Sequence, residues 1–489
     1  MPRNMETTTA IGKYHIVWIA ALLITASLAA FIFSDRYFTV VEDETTIIDG
    51  ARRPVAATLR IFWSGRGQFL HPPLSDVLLH FWIPVAGNSV TLLRAPSVVL
   101  FLSGLLILAS AARKLAGDRA FLPVIAIGTL SPFAFHFARL AGWYAFSFFA
   151  VAALTLAWLR YLERSTAPRL IAFILLAIAA IYANYYGWVL VACLLLDGWL
   201  LRRRDALKVS VVTFGAMAVA YIPLWRPFLR ASLPGRQSGA VLSKLVLAAY
   251  NLYILFVSES VAPWIWWFSL PAAAAIALVL WIAWQALTPR IRLFLLYFAI
   301  AFTGLAVTGK IDSKRLLFIS GWLMLALAAA LARRGRVLIA PLALVALLGW
   351  AGIFARKWYA APHLIEPWNE VAHHAAQSLR QGDLVVSNSP SFHFYLGYLL
   401  TPREESRVFT VGQWRHAAPP RPFALLFVEG VNQSVNVPTG QLMRELQSGC
   451  VTLEARHLVP DSGSELKRRL FPQFREPPFR ISVYRFRCD

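Results

Sequence analysis

"PRLIAFILLAIAAIYANYYGWVLVACLLLDGWLLRRR", residues 168–204, decides the fold. Between Arg169 and the arginines at 202–204 the single charge is Asp197. Crossing a bilayer takes ~20 helical residues, so this stretch is too long for one upright helix and short for two. Basic residues mark the cytoplasmic ends of membrane helices. Arg169 and Arg202 therefore belong on the same side, and the chain must cross and return. The spacing predicts a tight helical hairpin turning at Asn184-Tyr185-Tyr186-Gly187, with Arg202 accounting for Asp197.

The same logic extends outward. Basic clusters at Arg113, Lys114 and Arg119, at Arg160, Arg164 and Arg169, at Arg202, Arg203, Arg204 and Lys208, at Arg290 and Arg292, and at Arg333, Arg334 and Arg336 alternate with apolar runs long enough for two passes each. With all five clusters cytoplasmic, the outer loops are 34–91, 139–143, 184–187, 229–261 and 309–315. Eleven transmembrane helices result, and the chain after Lys357 lies outside. The first run, Tyr14 to Phe33, follows Arg3 and Lys13 and is long for a cleaved signal, so it reads as a signal anchor with its N-terminus inside. The shorter apolar runs 72–86 and 244–258 read as interfacial helices along the outer face, because full passes there would put basic clusters outside.

Composition agrees. Of the 489 residues 58% are hydrophobic and 15% charged, against about half and about a quarter in soluble domains. Backbone polar groups in hydrocarbon must bond within the segment, which makes the apolar runs helices. The net charge of +22 is explained by the loop clusters. No basic-aromatic stripe of the kind that binds nucleic acid is present.

From about residue 360 the pattern changes. "PWNEVAHHAAQSLRQGDLVVSNS" predicts an amphipathic helix, a Gly-Asp turn and a buried strand. "RVFTV", "FALLFVEG" and "RISVYRFR" predict further strands, and "TGQLMRELQSG" a capped helix ended by Gly449. The expected organisation is a mainly helical membrane domain over 1–357 and an extracytoplasmic α/β domain over 358–489. Cys450 and Cys488 both fall in that second region, where an oxidising compartment would allow a disulfide. Cys193 falls in a membrane run. Glu370, His373 and His374 share a helix face, read as an exposed polar face before a metal site.

The chemistry-bearing segment is the first outer loop. Glu42-Asp43-Glu44 follows the first membrane helix. Three adjacent carboxylates read either as a solvated charge run or as a general base with a helper, since like charges raise one pKa toward neutrality. His71-Pro72-Pro73-Leu74 follows, and its prolines can begin a helix.

Together the segments "VEDETTIIDGARRP…GQFLHPPLSDVLLHFW…TLLRAPSVVL" resemble the start of the GT-C membrane glycosyltransferases, and more narrowly the protein-mannosyltransferase and aminoarabinose-transferase group. Asp43-Glu44, His71-Pro72-Pro73-Leu74 and Arg94-Ala95-Pro96-Ser97 stand in that group's order. Pro132, Arg139 and Tyr144, the turn "YANYYGW" with Tyr185 and Tyr186, and "DSKRLLFIS" match later segments, so the resemblance spans roughly 15–335. It implies a polyprenyl-phosphate-linked monosaccharide as donor, inversion at the anomeric carbon, and a glycan, lipid or protein acceptor on the outer face of the bacterial inner membrane. Asp43 is the expected base and Glu44 its helper. Lys314 and Arg315, basic residues in an outer loop, are the expected ligands of the donor phosphate, with Lys310 and Arg139 as weaker ones. His71, Arg94, Tyr144, Tyr185 and Tyr186 are expected to line the substrate site. The outer loop at Arg139 lacks the carboxylate that many relatives carry there, so no obligatory metal is expected. Arg52, Arg53, Arg60 and Arg66 suit an acidic acceptor or lipid head groups. Trp264, Trp266 and Trp267 read first as an interfacial belt and second as a sugar-stacking surface. A lipid or glycolipid flippase and a non-catalytic scaffold are the competing classes.

Overall fold

The computed structural model of the chain describes residues 3–35, 38, 40–64, 72–87, 89–232, 241–308, 311–356, 358–360, 364–397, 399–417, 422–430, 439–460 and 479–489. It divides into two compact units, 1–33 with 47–355, and 34–46 with 356–489.

The first unit is helical, and the first five residues of one of its helices, 42–46, group with the second unit. Its helices are α1 (Arg3–Ser34), α2 (Glu42–Arg52), α3 (Val55–Ser64), α4 (Leu74–Ala86), α5 (Val90–Ala116), α6 (Phe121–Leu130), α7 (Pro132–Ala138), α8 (Trp143–Glu163), α9 (Ala167–Ala183), α10 (Gly187–Leu200), α11 (Ala206–Ala220), α12 (Trp225–Ser232), α13 (Val241–Val257), α14 (Trp266–Ala286), α15 (Pro289–Val307) and α16 (Leu317–Ala355). Among the described residues six are long and apolar enough to cross a membrane, or up to eight if the bent pairs α6–α7 and α11–α12 each count as one span. Helices α9 and α10 fall short of the ~20 residues a crossing takes, and α16 breaks at Arg334, whose φ is −128° and ψ 37°. Apolar side chains face outward on these helices, among them Trp18, Leu270, Trp281 and Phe354. That is the surface a lipid solvent requires.

The expected hairpin forms. Asn184 makes the turn, its Oδ1 accepting from Tyr186 N at 3.0 Å and its carbonyl from Gly187 N at 2.8 Å. This is an Asx-type turn. Gly187 is required there, because a Cβ would lie 2.7 Å from the Ala180 carbonyl carbon.

Basic clusters meet at one end of the bundle. Lys114 Nζ lies 2.7 Å from Glu163, Arg169 donates to the Arg160 carbonyl, and Arg203 to the Leu162 carbonyl. Arg290 shares a recess with Lys114 and Glu163, and Arg333 donates to the Ala286 carbonyl at 3.1 Å. Asp197 corrects one expectation. Its carboxylate accepts from Trp158 Nε1 at 2.9 Å and Tyr297 OH at 3.3 Å and feels Arg290, so it is held inside the bundle rather than matched by Arg202.

The second unit contains α17 (Trp368–Arg380), β1 (Leu384–Ser387), α18 (Pro390–Leu396), α19 (Pro402–Glu405), β2 (Val408–Thr410), α20 (Val411–Ala417), β3 (Phe423–Gly430), α21 (Thr439–Gly449), β4 (Val451–Pro460) and β5 (Phe479–Cys488). The sheet order is β2-β1-β3-β5-β4. β1 pairs in parallel with β2 and β3, whereas β5 pairs antiparallel with β3 and β4. Alternation along the strands builds two cores. Val385, Leu426, Val428 and Val483 pack with α17 and α18 on one face. Val386, Leu425, Phe427 and Phe486 pack with Trp414, Leu442 and Leu446 on the other. Each such buried side chain contributes ~1.5–3 kcal/mol. The Gly-Asp turn holds as expected, with Asp383 accepting from Ser378 and lying 2.8 Å from Arg485 Nε. Cys450 and Cys488 form a disulfide.

Candidate active site

At the end of the bundle opposite the basic clusters, α7, the loop after α13 and the turn before α16 converge. Pro132 breaks α6, as a proline ring must, and the axis bends by 66° into α7. Ser131 caps α7 by accepting from Ala134 N at 3.1 Å. That short helix delivers His136 and Arg139, both fully buried. His136 Nδ1 lies 2.8 Å from Ser258 Oγ. Ser258 adopts φ +64°, a left-handed conformation that is uncommon for a side-chain-bearing residue and is held only when its surroundings fix it.

Those surroundings are visible. Ser260 Oγ donates to the carbonyls of Val257 and Gly349, each at 2.8 Å. Gly349 and Gly352 of α16 allow the approach. A Cβ on Gly349 would lie 2.5 Å from Pro132 Cγ, and one on Gly352 would lie 2.5 Å from the Ser260 carbonyl.

The locked loop presents Glu259, 5% exposed, to the turn at Ser313–Leu316, where the Ser313 hydroxyl donates to the Glu259 carboxylate. The next two residues are Lys314 and Arg315. Lys314 Nζ lies 3.6 Å from Asp312, and Arg315 N donates to the Asp312 carbonyl at 3.0 Å. Arg315 also acts electrostatically on Tyr186. The Tyr186 hydroxyl is 3.2 Å from Thr308 Oγ1 and its ring stacks on Phe318. Two expected residues, Tyr186 and Arg315, thus lie within electrostatic reach of each other. Glu259, Asp312, Ser313 and His136 were not singled out from the sequence. The signal for Glu259 was present, since it is the acidic residue nearest the end of the expected outer loop 229–261.

The surroundings of the other expected residues are as follows. Tyr185 turns away from Tyr186 and packs on Phe228, beside Tyr221, Trp188 and Trp225. Tyr144 is buried next to Trp143. Arg94 is buried on the stripe of α5 that carries Phe101, Leu105 and Leu108. Pro73 caps α4, so the two prolines begin a helix as expected. Trp264 is buried while Trp266 and Trp267 are 61% and 56% exposed, which splits that cluster and leaves the outward pair suited to an interfacial belt. His71, Lys310 and Arg66 lie outside the described residues, as do the side chains of Glu42 and Asp43.

In the second unit, Glu44 is fully buried and its Oε2 accepts from Val41 N at 3.1 Å. A Glu at the third helical position reaching back to the capping residue is half of a capping box. Glu44 therefore fixes the first turn of α2, which contains Asp43. His374 Nε2 stands 3.9 Å from Glu454. Among the described residues no three His, Cys, Asp or Glu side chains converge.

An apolar cavity of about 210 Å³ lies between α6, α13 and the two halves of α16, lined by Leu130, Pro132, Phe256, Met324 and Leu342 among others.

A helical bundle followed by a small mixed sheet is a fold this chain shares with solved ArnT structures. The chain is similar to apo ArnT from Cupriavidus metallidurans, with a TM-score of 0.57 and 14% identity over 95% of this chain and 97% of that one. It is similar to the same protein bound to undecaprenyl phosphate, with a TM-score of 0.53, 14% identity and the same coverage. An Archaeoglobus fulgidus oligosaccharyltransferase in complex with Zn and sulfate gives a TM-score of 0.47 and 12% identity over 80% of this chain and 62% of that one. No protein-family profile and no curated protein sequence matches the chain.

Proposed function

We propose that this protein is an inverting glycosyltransferase that takes a monosaccharide from a polyprenyl-phosphate donor. One observation carries the reading. The Ser313–Leu316 turn, at the end of the bundle away from the five basic clusters, carries Lys314 and Arg315 in succession, and the Arg315 charge reaches Tyr186. Basic residues there contradict the charge rule for an outer loop unless an anion needs them, and a lipid phosphate is such an anion. The ArnT fold supports the choice, since that protein binds undecaprenyl phosphate. The apolar cavity suits an isoprenoid chain.

The chemistry follows. Asp43 accepts the proton of an acceptor hydroxyl. The acceptor oxygen bonds to the anomeric carbon from the face opposite the leaving group. The bond from that carbon to the phosphate oxygen breaks, and the lipid phosphate leaves with the electron pair. Lys314 and Arg315 stabilise the charge where it develops, the kind of contact worth 10²–10³ in rate. Arg139 and Lys310 are secondary contacts to the phosphate. Glu44 holds the base through the first turn of α2. Eleven passes, interfacial α4 and α13, and a periplasmic second unit in a bacterial inner membrane complete the proposal. The Cys450–Cys488 disulfide supports an oxidising compartment for that unit.

The test is release of undecaprenyl phosphate from undecaprenyl-phosphate-linked sugars by the purified protein in nanodiscs, with added glycan, lipid and peptide hydroxyls, or water, as the acceptor of the sugar. Asp43→Asn should lower turnover by at least ~10³-fold with donor binding intact. Wild-type turnover by that variant would remove Asp43 as the base. Retained binding of undecaprenyl phosphate by a Lys314→Ala/Arg315→Ala variant would remove the phosphate site.

A further inference from the structure

The acid-bearing segment does not group with the helices that flank it in sequence. Residues 34–46 cluster with 356–489. Within that unit the Val40 backbone N–H donates to the hydroxyl of Tyr395 on α18. Phe38, Val40, Val41 and Glu44 are all buried, none more than 6% exposed. From Val40 the chain of constraints is short. Val41 N is held by Glu44, and Glu44 sits in the first turn of α2 with Asp43 beside it.

Tyr395 itself stands on a fixed base. Ser389 caps α18, its Oγ accepting from Phe392 N at 3.3 Å. Asn388 and Gly430 exchange two hydrogen bonds, of 3.0 and 2.8 Å, tying the turn before α18 to the end of β3. Phe392 and Leu396, on either side of Tyr395, are buried in the core that α17 shares with the sheet. A phenol has two side-chain torsions, so its hydroxyl is a rigid reach from a rigid helix.

We infer that the C-terminal sheet unit is the holder of the base-bearing segment, and that Tyr395 is its positioning residue, acting through the Val40 amide. The inference rests on the assignment of Asp43 as the base and gives the second unit a task in the same reaction. A misplacement of about 1 Å at a reacting group costs on the order of 100-fold. A hydrogen bond that removes freedom two residues upstream of α2 is therefore a lever on turnover rather than on donor affinity.

The experiment uses the full chain in nanodiscs and the variant Tyr395→Phe, which keeps the ring in its packing and removes the hydroxyl. Turnover of undecaprenyl-phosphate-linked sugar should fall about tenfold with KM for the donor unchanged. Amide exchange in the peptide covering 38–46 should accelerate, while peptides from β1 and β3 keep wild-type protection. Unchanged exchange at 38–46, or unchanged turnover with accelerated exchange, overturns the inference. Loss of protection across β1 and β3 as well would make Tyr395 a support of the sheet core and overturns it too. The exchange measurement needs no substrate. If Asp43→Asn leaves turnover intact, the base assignment fails on its own, and the tether between Tyr395 and residues 38–46 is still decided.

Discussion

The two units solve the same problem, holding a polar turn in place, by different means. In the bundle, apolar surface faces outward as well as inward, so burial of apolar area does not by itself favour one arrangement of helices. Position comes from close backbone approach. Gly349 and Gly352 let the Ser258–Ser260 loop touch α16, and hydroxyl-to-carbonyl bonds then fix it. In the sheet unit, exposed large apolar side chains among the described residues are confined to Val451 and Leu453 of β4. Strand alternation separates two cores from a polar surface, and a covalent bond closes the far edge. A turn in the bundle is thus held by shape, whereas one in the sheet unit is held by hydrophobic burial and cross-linking.

The contrast breaks first at the disulfide. Cys450 and Cys488 are separated by 38 residues, and cross-linking a loop of that length contributes roughly 3–4 kcal/mol by the chain-entropy account. Cys450→Ser/Cys488→Ser should lower the unfolding free energy of the sheet unit by that order, read as the denaturant midpoint of exchange in β3 and β5. Exchange in α5 and α8 should not move. A parallel loss of protection in both units would show that they do not stabilise themselves independently.

A smaller effect probes the shape-held turn. Glu259→Ala removes the nearer acceptor of the buried Ser313 hydroxyl and leaves only the 3.4 Å contact to Asp312, a local cost of ~1–3 kcal/mol at most. Release of the turn that carries Lys314 and Arg315 should lower turnover about tenfold. Glu259→Gln retains an oxygen that can accept from Ser313 and should keep most of the activity. Equal losses in the two variants, measured as turnover of undecaprenyl-phosphate-linked sugar, would mean that the charge of Glu259 matters and its hydrogen bond does not.

The helices were legible because each rests on a local signal. Apolar length, basic ends and Asn184-Tyr185-Tyr186-Gly187 sufficed for the hairpin, and period-two alternation for β3 and β5. β4 escaped because its sequence, "VTLEARHLVP", mixes four polar residues among ten without strict alternation and its described side chains are all partly or largely exposed. As an outer strand it packs through β5, not through a pattern of its own. Glu259 carries a signal as the acid near the end of the expected outer loop, but what gives it a task is Ser313, distant in sequence, and a left-handed Ser258 that composition does not announce. The grouping of 34–46 with the sheet unit escaped for the same reason. Nothing in "VEDETT" points to Tyr395, and a backbone amide leaves no trace in sequence. Asp43, Lys314 and Arg315 are candidates through their order among other motifs and their placement against the charge rule, which are properties of sequence.

The last and smallest prediction separates the units by pH. His393 lies in α18, beside the Ser387 carbonyl, which accepts from its Nε2 at 3.3 Å. Burial lowers its pKa below the ordinary histidine value, and the Ser387 carbonyl opposes that less strongly. The unfolded chain then takes up a proton near pH 6.5 while the folded one remains neutral. The sign follows. Stability linked to His393 is fully present above about pH 6.5 and is lost as pH falls below it, with a slope of at most ~1.4 kcal/mol per pH unit for one proton. Between pH 6.5 and 6.0 the sheet unit should therefore lose less than ~0.7 kcal/mol, and His393→Gln should flatten that slope. Exchange in β1, next to Ser387, is the sensitive readout. An unchanged slope in the variant would assign the acid sensitivity of the unit to another group. A slope that appears equally in α5 and α8 would erase the distinction between a unit held in water and one held in lipid.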